Sequence, residues 1–286
     1  MRSAGPVNTK TTVREMRAIN GLAIIGKELF IVSHMSIEIE VYDSTSIRYN
    51  RGWPLIGLVN ADDMTGCERH KCLYFSDRKN EGEEKEIMKV DTNGNILKKW
   101  STGDVFGRLS VTNDSNILLT VFSKNAIKEY TPEGSFVREI DVSSAGISHP
   151  LHTVKLATGH FVVSHGITDD PVHRVCIIDA DGDIIKSFGK KRGSAIGQMD
   201  GPICLAVDGE GCIIIADCNN SRLLLLNSIL EYRRTLDSDK AAFGYPVRIC
   251  LNQTNGRMFV ADLQSANHRL IVFDLDKPSL PDPVKA

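Results

Sequence analysis

The stretch GPICLAVDGEGCIIIADCNNSRLLLLN, residues 201–227, decides the fold. ICLAVD (203–208) and CIIIAD (212–217) are short apolar runs separated by Gly-Glu-Gly. The polar loop CNNS (218–221) leads into a third run, RLLLLN (222–227), and EYRRTL (231–236) follows with a polar face. Four short segments joined by such turns read as an antiparallel meander. The first three are too continuously apolar to leave a face in water, so both faces must be covered, whereas the fourth alternates as an outer strand should.

The same unit recurs along the chain. Its second apolar run appears as LFIVSH (29–34), LYFSD (73–77), ILLTV (117–121), FVVSH (161–165), IIIAD (213–217) and MFVAD (258–262). The ends of these runs are 43, 44, 44, 52 and 45 residues apart. A period in the 40s built from short strands is the signature of a β-propeller with one four-stranded sheet per repeat. The fold expected is therefore an all-β, six-bladed propeller occupying residues 1–276 as one domain. Its blades fall near 19–52, 53–104, 105–148, 149–200, 201–242 and 243–276, and a Pro-rich tail covers 277–286. The final blade lacks a fourth strand, because three prolines in KPSLPDPVKA cannot sit in a ladder. TVREMRAI (12–19) resembles FVREID (136–141), the outer strand of blade 3, so residues 12–18 are predicted to supply the missing strand and close the ring.

Bulk composition excludes several classes. Apolar residues make up 42% and charged residues 24%, ordinary for a soluble globular chain, and the net charge of −2 gives no general attraction to DNA or to an acidic membrane. No apolar run approaches the length of a membrane span or a signal h-region. Of seven cysteines, Cys176, Cys204, Cys212 and Cys250 lie in or beside apolar runs, where a thiol acts as a small hydrophobe. Cys67 and Cys72 flank His70 without a second pair to complete a zinc site, so no metal or cofactor is expected and the chain reads as reduced and cytoplasmic.

The phrase at 201–227 resembles the NHL repeat: a Pro before the first strand, Asp-x-x-Gly in the first turn, Ala-Asp ending the second strand and Asn-x-Arg opening the third. YPVRICLNQTNGRMFVADLQSANHRLIVFD (245–274) repeats it, and FGKKRGSAIGQMDGP resembles the Gly-rich linker ahead of such repeats. The chain is thus similar to the NHL propellers that end tripartite-motif ubiquitin ligases, over about 90 residues in blades 5 and 6 and more weakly elsewhere. That resemblance implies a protein- or RNA-binding module linked to ligase biology. No zinc framework or long heptad of a ligase is present, so ligase activity is not implied for this chain.

The motif residues have structural roles first. Asp217 with Arg222, and Asp262 with Arg269, bracket the loops between the second and third strands, where a charged pair would pin the loop. Blade 4 replaces the Asp with His165 but keeps Arg174; blade 3 has Val121 and Ala126 instead.

Propeller geometry brings the start of each first strand and the end of each second strand to one mouth of the central channel. Aligned on Cys204, the first-strand positions are Gly21, Ile56, Arg108, His152, Cys204 and Arg248. Arg108, His152 and Arg248 would make this mouth positive, with His165 beside them and Lys190, Lys191 and Arg192 adding charge to the same face. The long acidic loops at 78–86 and 166–174 add the opposite sign. A face of both signs suits a protein or peptide partner better than phosphate tracking. Single-stranded RNA is the second expectation; Tyr245, Phe243, Phe106 and Trp53 are its candidate stacking platforms. Read as surface contacts, Arg108 and Arg248 should tolerate charge reversal together without loss of folding.

The alternative function is a metal-dependent propeller enzyme, resembling lactonases or an amidating lyase. His149, His152 and His165 supply donors, but they crowd into one blade instead of converging from several. No nucleophile elbow or phosphate-binding glycine loop occurs, and the chain is read as a non-enzymatic binding module.

Overall fold

Along the strand Glu28–Ser33 the side chains alternate between two interfaces. Leu29 and Ile31 pack toward one neighbouring sheet and Phe30 and Val32 toward the other. That is why the run is apolar without interruption: a strand in a stacked blade has no solvent face. The same arrangement, repeated, gives six four-stranded antiparallel sheets in the computed structural model. The core is divided accordingly into six apolar clusters, one at each seam between consecutive blades. Described are residues 15–16, 18–34, 36, 38–54, 57–58, 61–77, 80, 82–167, 169–236, 242–264 and 268–275.

The strands, named A to D from the channel outward, are in blade 1 Ile19–Ile25, Glu28–Ser33, Glu38–Asp43 and Tyr49–Pro54. Blade 2 has Ala61–Cys67, Cys72–Asp77, Lys85–Asp91 and Ile96–Gly103, and blade 3 has Arg108–Val111, Ile117–Val121, Ala126–Tyr130 and Phe136–Asp141. Blade 4 has Pro150–Lys155, Phe161–His165, Val172–Ile178 and Ile184–Lys191, and blade 5 has Pro202–Val207, Ile213–Asp217, Arg222–Leu226 and Tyr232–Leu236. Blade 6 has Tyr245–Asn252, Arg257–Leu263 and His268–Asp274. Its outer strand is Glu15–Met16, antiparallel to strand C with Glu15 opposite Arg269 and Met16 opposite His268. The N-terminus therefore closes the ring, as its likeness to 136–141 predicts; residues 12–14 and 17 of that expected strand lie outside the described residues.

Blade 2 departs from the sequence reading. Trp53 and Pro54 belong to the outer strand of blade 1, and strand A of blade 2 is Ala61–Cys67, directly before its partner. The expected mouth residue Ile56 lies outside the described residues; the position that matches Cys204 in register is Asp63, opposite Ser76. ADDMTGC carries two carboxylates and no unbroken apolar run, yet it forms this strand and Asp63 is buried.

Two tryptophans lock blades from outside. Trp53 packs on Gly94 and Trp100 on Gly134, glycines of the C–D turns in the following blades. A Cβ at these glycines would lie 2.8 and 2.6 Å from the indoles, and both have positive φ (+93° and +78°).

Candidate functional site

Each A strand except that of blade 3 enters the channel through a register shift, at Ile19/Gly21, Ala61/Asp63, Pro150/His152, Pro202/Cys204 and Pro246/Arg248. Such bulges re-aim the side chain that follows. The ring at the mouth is accordingly Gly21, Asp63, Arg108, His152, Cys204 and Arg248, five of the six residues named from sequence.

Most of this ring is spent on joining blades. Arg248 Nε donates to Asp63 Oδ1 at 3.1 Å, tying blade 6 to blade 2. The other oxygen, Oδ2, accepts from the Leu109 amide of blade 3 at 2.8 Å. The Leu109 carbonyl lies 3.4 Å from His152 Nε2 of blade 4, and His152 Nδ1 accepts from the Leu205 amide of blade 5 at 3.0 Å. One chain of contacts thus links five blades. These bonds assign the His152 proton to Nε2, and burial pushes its pKa down, so the ring is neutral. With Arg248 matched by Asp63, the positive mouth expected from three side chains reduces to Arg108.

This corrects two expectations. His152 is a buried strut, not a surface contact. Charge reversal at Arg248 would set a carboxylate against Asp63, so the double reversal with Arg108 is not expected to leave folding intact.

The loop-end pairs are also internal. Arg222 Nε donates to Asp217 Oδ2 at 2.7 Å, while its Nη1 and Nη2 donate to the Ser194 and Gln198 carbonyls at 2.8 and 2.9 Å. Asp217 also accepts from the Asp200 amide at 2.7 Å. Arg269 Nε reaches Asp262 Oδ2 at 2.9 Å and its Nη2 bonds to the Ala242 carbonyl, while Gly244 N donates to the same carboxylate. Blade 4 keeps the device with an imidazole: Arg174 Nε donates to His165 Nε2 at 2.7 Å, and Nη2 to the Gly146 carbonyl at 3.0 Å. In each blade the arginine clamps the incoming D–A connection. His165 is 1% exposed, and burial followed by the Arg174 charge pushes its pKa down to about 4. Proposed from sequence as a contact, it lies beneath the surface.

Lys190 and Lys191 are exposed at the end of the outer strand of blade 4, three strand spacings, about 14 Å, out from the innermost strand. Arg192 is paired with Asp200 at 2.8 Å. These cations decorate the outer rim of the face and do not line its mouth. Of the aromatic candidates, Trp53 and Phe243 are buried in seams, and Tyr245 is exposed.

Two cavities meet at the mouth. The channel proper encloses about 290 Å³. An outer cavity of about 380 Å³ is walled by Phe106, Phe122, Pro150 and Leu151. Arg108 and Arg248 border both. Arg248 is held by Asp63 and by the Val247 carbonyl at 3.0 Å. Arg108 is not so held: its Nη1 is sealed from solvent and has no hydrogen-bond partner, and the same is true of Thr120 Oγ1 on the outer wall. A buried donor left unmatched costs about 1–3 kcal/mol. The rim beside them is built: Phe122 stacks on His149 with ring centroids 4.7 Å apart, and His149 Nδ1 contacts Asp170 at 3.0 Å. Sequence reasoning reached Arg108 and Phe106 but not Phe122 or Thr120, which follow from the strand B end that it placed at the mouth.

No protein-family model matches the chain, and no curated protein matches it in sequence. Its likeness is to solved structures. It is similar to a protein of unknown function from Bacteroides caccae at 15% identity and TM-score 0.65, over 86% of this chain and 89% of that one. The PQQ-bound aldose sugar dehydrogenase of Streptomyces coelicolor gives 11% identity and TM-score 0.65 over 94% and 99%. Virginiamycin B lyase from Staphylococcus aureus gives 14% identity and TM-score 0.61 over 94% and 90%. At these identities the shared property is the propeller fold.

Proposed function

We propose that this chain is an NHL-like binding module, non-enzymatic, that receives a protein or peptide partner on the face bearing the channel mouth. The NHL phrases of blades 5 and 6, each with its Asp–Arg clamp, support the family reading and with it a cytoplasmic role connected to ubiquitin ligation. The observation that carries the binding reading is the outer cavity. It is a concave recess walled partly by apolar side chains, with Phe122 38% exposed at its rim and stacked on His149. Preorganised aromatic surface beside a cation is what peptide anchors use. Single-stranded RNA fits less well, because Trp53 and Phe243 are committed to the seams.

Likeness to a lyase and a dehydrogenase supports the competing enzyme reading at the level of fold. A metal-dependent site needs converging donors, and among the described residues no three His, Cys, Asp or Glu side chains gather to hold an ion. His149, His152 and His165 are each engaged separately, with Asp170, Leu205 and Arg174. Selection of a displayed peptide library on the immobilised protein tests the proposal. Enriched peptides that lose binding to a Phe122→Ala variant are expected. No enrichment, or equal binding to the variant, would overturn it.

A further inference from the structure

We infer that the outer cavity is a receptor for a carboxylate borne on an apolar or aromatic group, with Arg108 and Thr120 as its donors; this rests on the binding-module reading and names the ligand chemistry. Arg108 and Thr120 are directly opposite each other across strands A and B of blade 3. Cross-strand partners share one face of the sheet, within reach of a single small ligand. Both present a donor for which the protein supplies no acceptor. Every other charged or imidazole group of the ring has its partner within the chain. Both also line the outer cavity, so an acceptor for the pair would be a group bound there.

The class follows from geometry and charge. A guanidinium fork matches the two oxygens of a carboxylate, and a neighbouring hydroxyl adds a third donor. One free arginine suits a single negative charge; a phosphate group would bring more charge and more oxygens than these donors meet. The walls of Phe106, Phe122, Pro150 and Leu151 would cover an alkyl or aryl group. Arg248 is already matched by Asp63 and Asp62 lines the same recess, so the cation offered to a ligand is Arg108 alone. A volume of about 380 Å³ is at the small end of ligand sites, enough for one residue or one small acid. Because Arg108 also borders the inner channel, a bound carboxylate would hold it at the junction of the two cavities.

Two sources carry this chemistry, the free C-terminus of a peptide with an apolar last residue and a small aromatic acid. The test uses the purified chain and calorimetric titration with N-acetyl-phenylalanine, its amide and 3-phenylpropanoate at millimolar concentration. Binding of the acids and not of the amide is expected. Preference for N-acetyl-phenylalanine would point to a peptide end, and preference for 3-phenylpropanoate to a small acid. Arg108→Met should weaken the acids by about tenfold or more, with Thr120→Val weaker by less. Arg108→Met removes no internal hydrogen bond of its side chain, so its melting temperature should equal or exceed that of the wild type, which separates lost binding from lost folding. Equal binding of acid and amide, no binding of either acid, or unchanged binding by Arg108→Met would overturn the inference. If a peptide library with amidated ends is still enriched through Phe122, the binding-module reading survives and the carboxylate assignment falls. If the acids bind and no peptide is enriched, the assignment survives and the partner reading falls.

Discussion

Replacing Arg248 with Met should cost the fold about 3–5 kcal/mol, the range for stripping one partner from a buried ion pair. Its Nε stands 3.1 Å from Asp63 Oδ1. At an effective dielectric of about 20 that separation is worth about 5 kcal/mol of attraction, part of which desolvation offsets. Asp63 is 3% exposed, and without the guanidinium its carboxylate keeps only the Leu109 amide among the donors of the chain. For a chain of this size the loss is a fall in melting temperature of about 6–20 °C. Urea unfolding followed by circular dichroism measures it, and a cycle with Asp63→Asn isolates the coupling. The amide side chain keeps an acceptor for Leu109 N while removing the buried charge, so the double variant should recover more than half of the loss. A single-variant cost below about 1 kcal/mol, the level of an exposed pair, would refute the account of the mouth as a load shared between blades.

Three further outcomes follow from the same packing. His165 has a folded pKa of about 4 against an ordinary 6.5, so the unfolded chain takes up the proton first; stability should be full above pH 6.5 and fall by about 3 kcal/mol toward pH 4. His165→Gln, which keeps an acceptor for Arg174, should flatten that fall in a pH series of unfolding curves, with the remaining slope coming from other groups such as His152. Deleting residues 1–16 exposes the strand C edge of blade 6, and a lower melting temperature with self-association by light scattering is expected; an unchanged melting point would contradict ring closure through Glu15 and Met16. Gly134→Ala should cost about 1–3 kcal/mol more in denaturant unfolding than Gly82→Ala, since both have positive φ but only Gly134 faces an indole, Trp100.

Blades 3 to 6 were legible because their inner strands are unbroken apolar runs bounded by turn residues, a pattern imposed by burial on both faces. The closing strand was legible because an outer strand is amphipathic wherever it sits in the chain. Strand A of blade 2 was not, because ADDMTGC hides a buried carboxylate whose partner, Arg248, lies 185 residues away. A local signal was nonetheless present. In blades 3, 4 and 5 the mouth residue precedes the end of the second apolar run by 13 positions and in blade 6 by 14, and counting 13 or 14 back from Asp77 lands on Met64 or Asp63. Which mouth residues serve the fold and which face a ligand was beyond such counting. His152 and Arg248 look as available as Arg108 until Leu205, Leu109 and Asp63 are placed around them.

That distinction bears on how a propeller acquires a site. The position at which strand A meets the mouth is the place where each blade presents one side chain to the channel, and five blades re-aim it by a bulge. Blade 3 enters instead by Gly107, where a Cβ would lie 1.9 Å from the Thr120 carbonyl oxygen. This close approach brings the A strand against the end of strand B and sets Arg108 opposite Thr120 without a register shift. Blade 3 also lacks the Asp–Arg clamp, having Val121 and Ala126 at the equivalent positions. The irregular blade is thus the one whose charge is left for a ligand, and the regular blades supply the rigidity that holds it at the mouth.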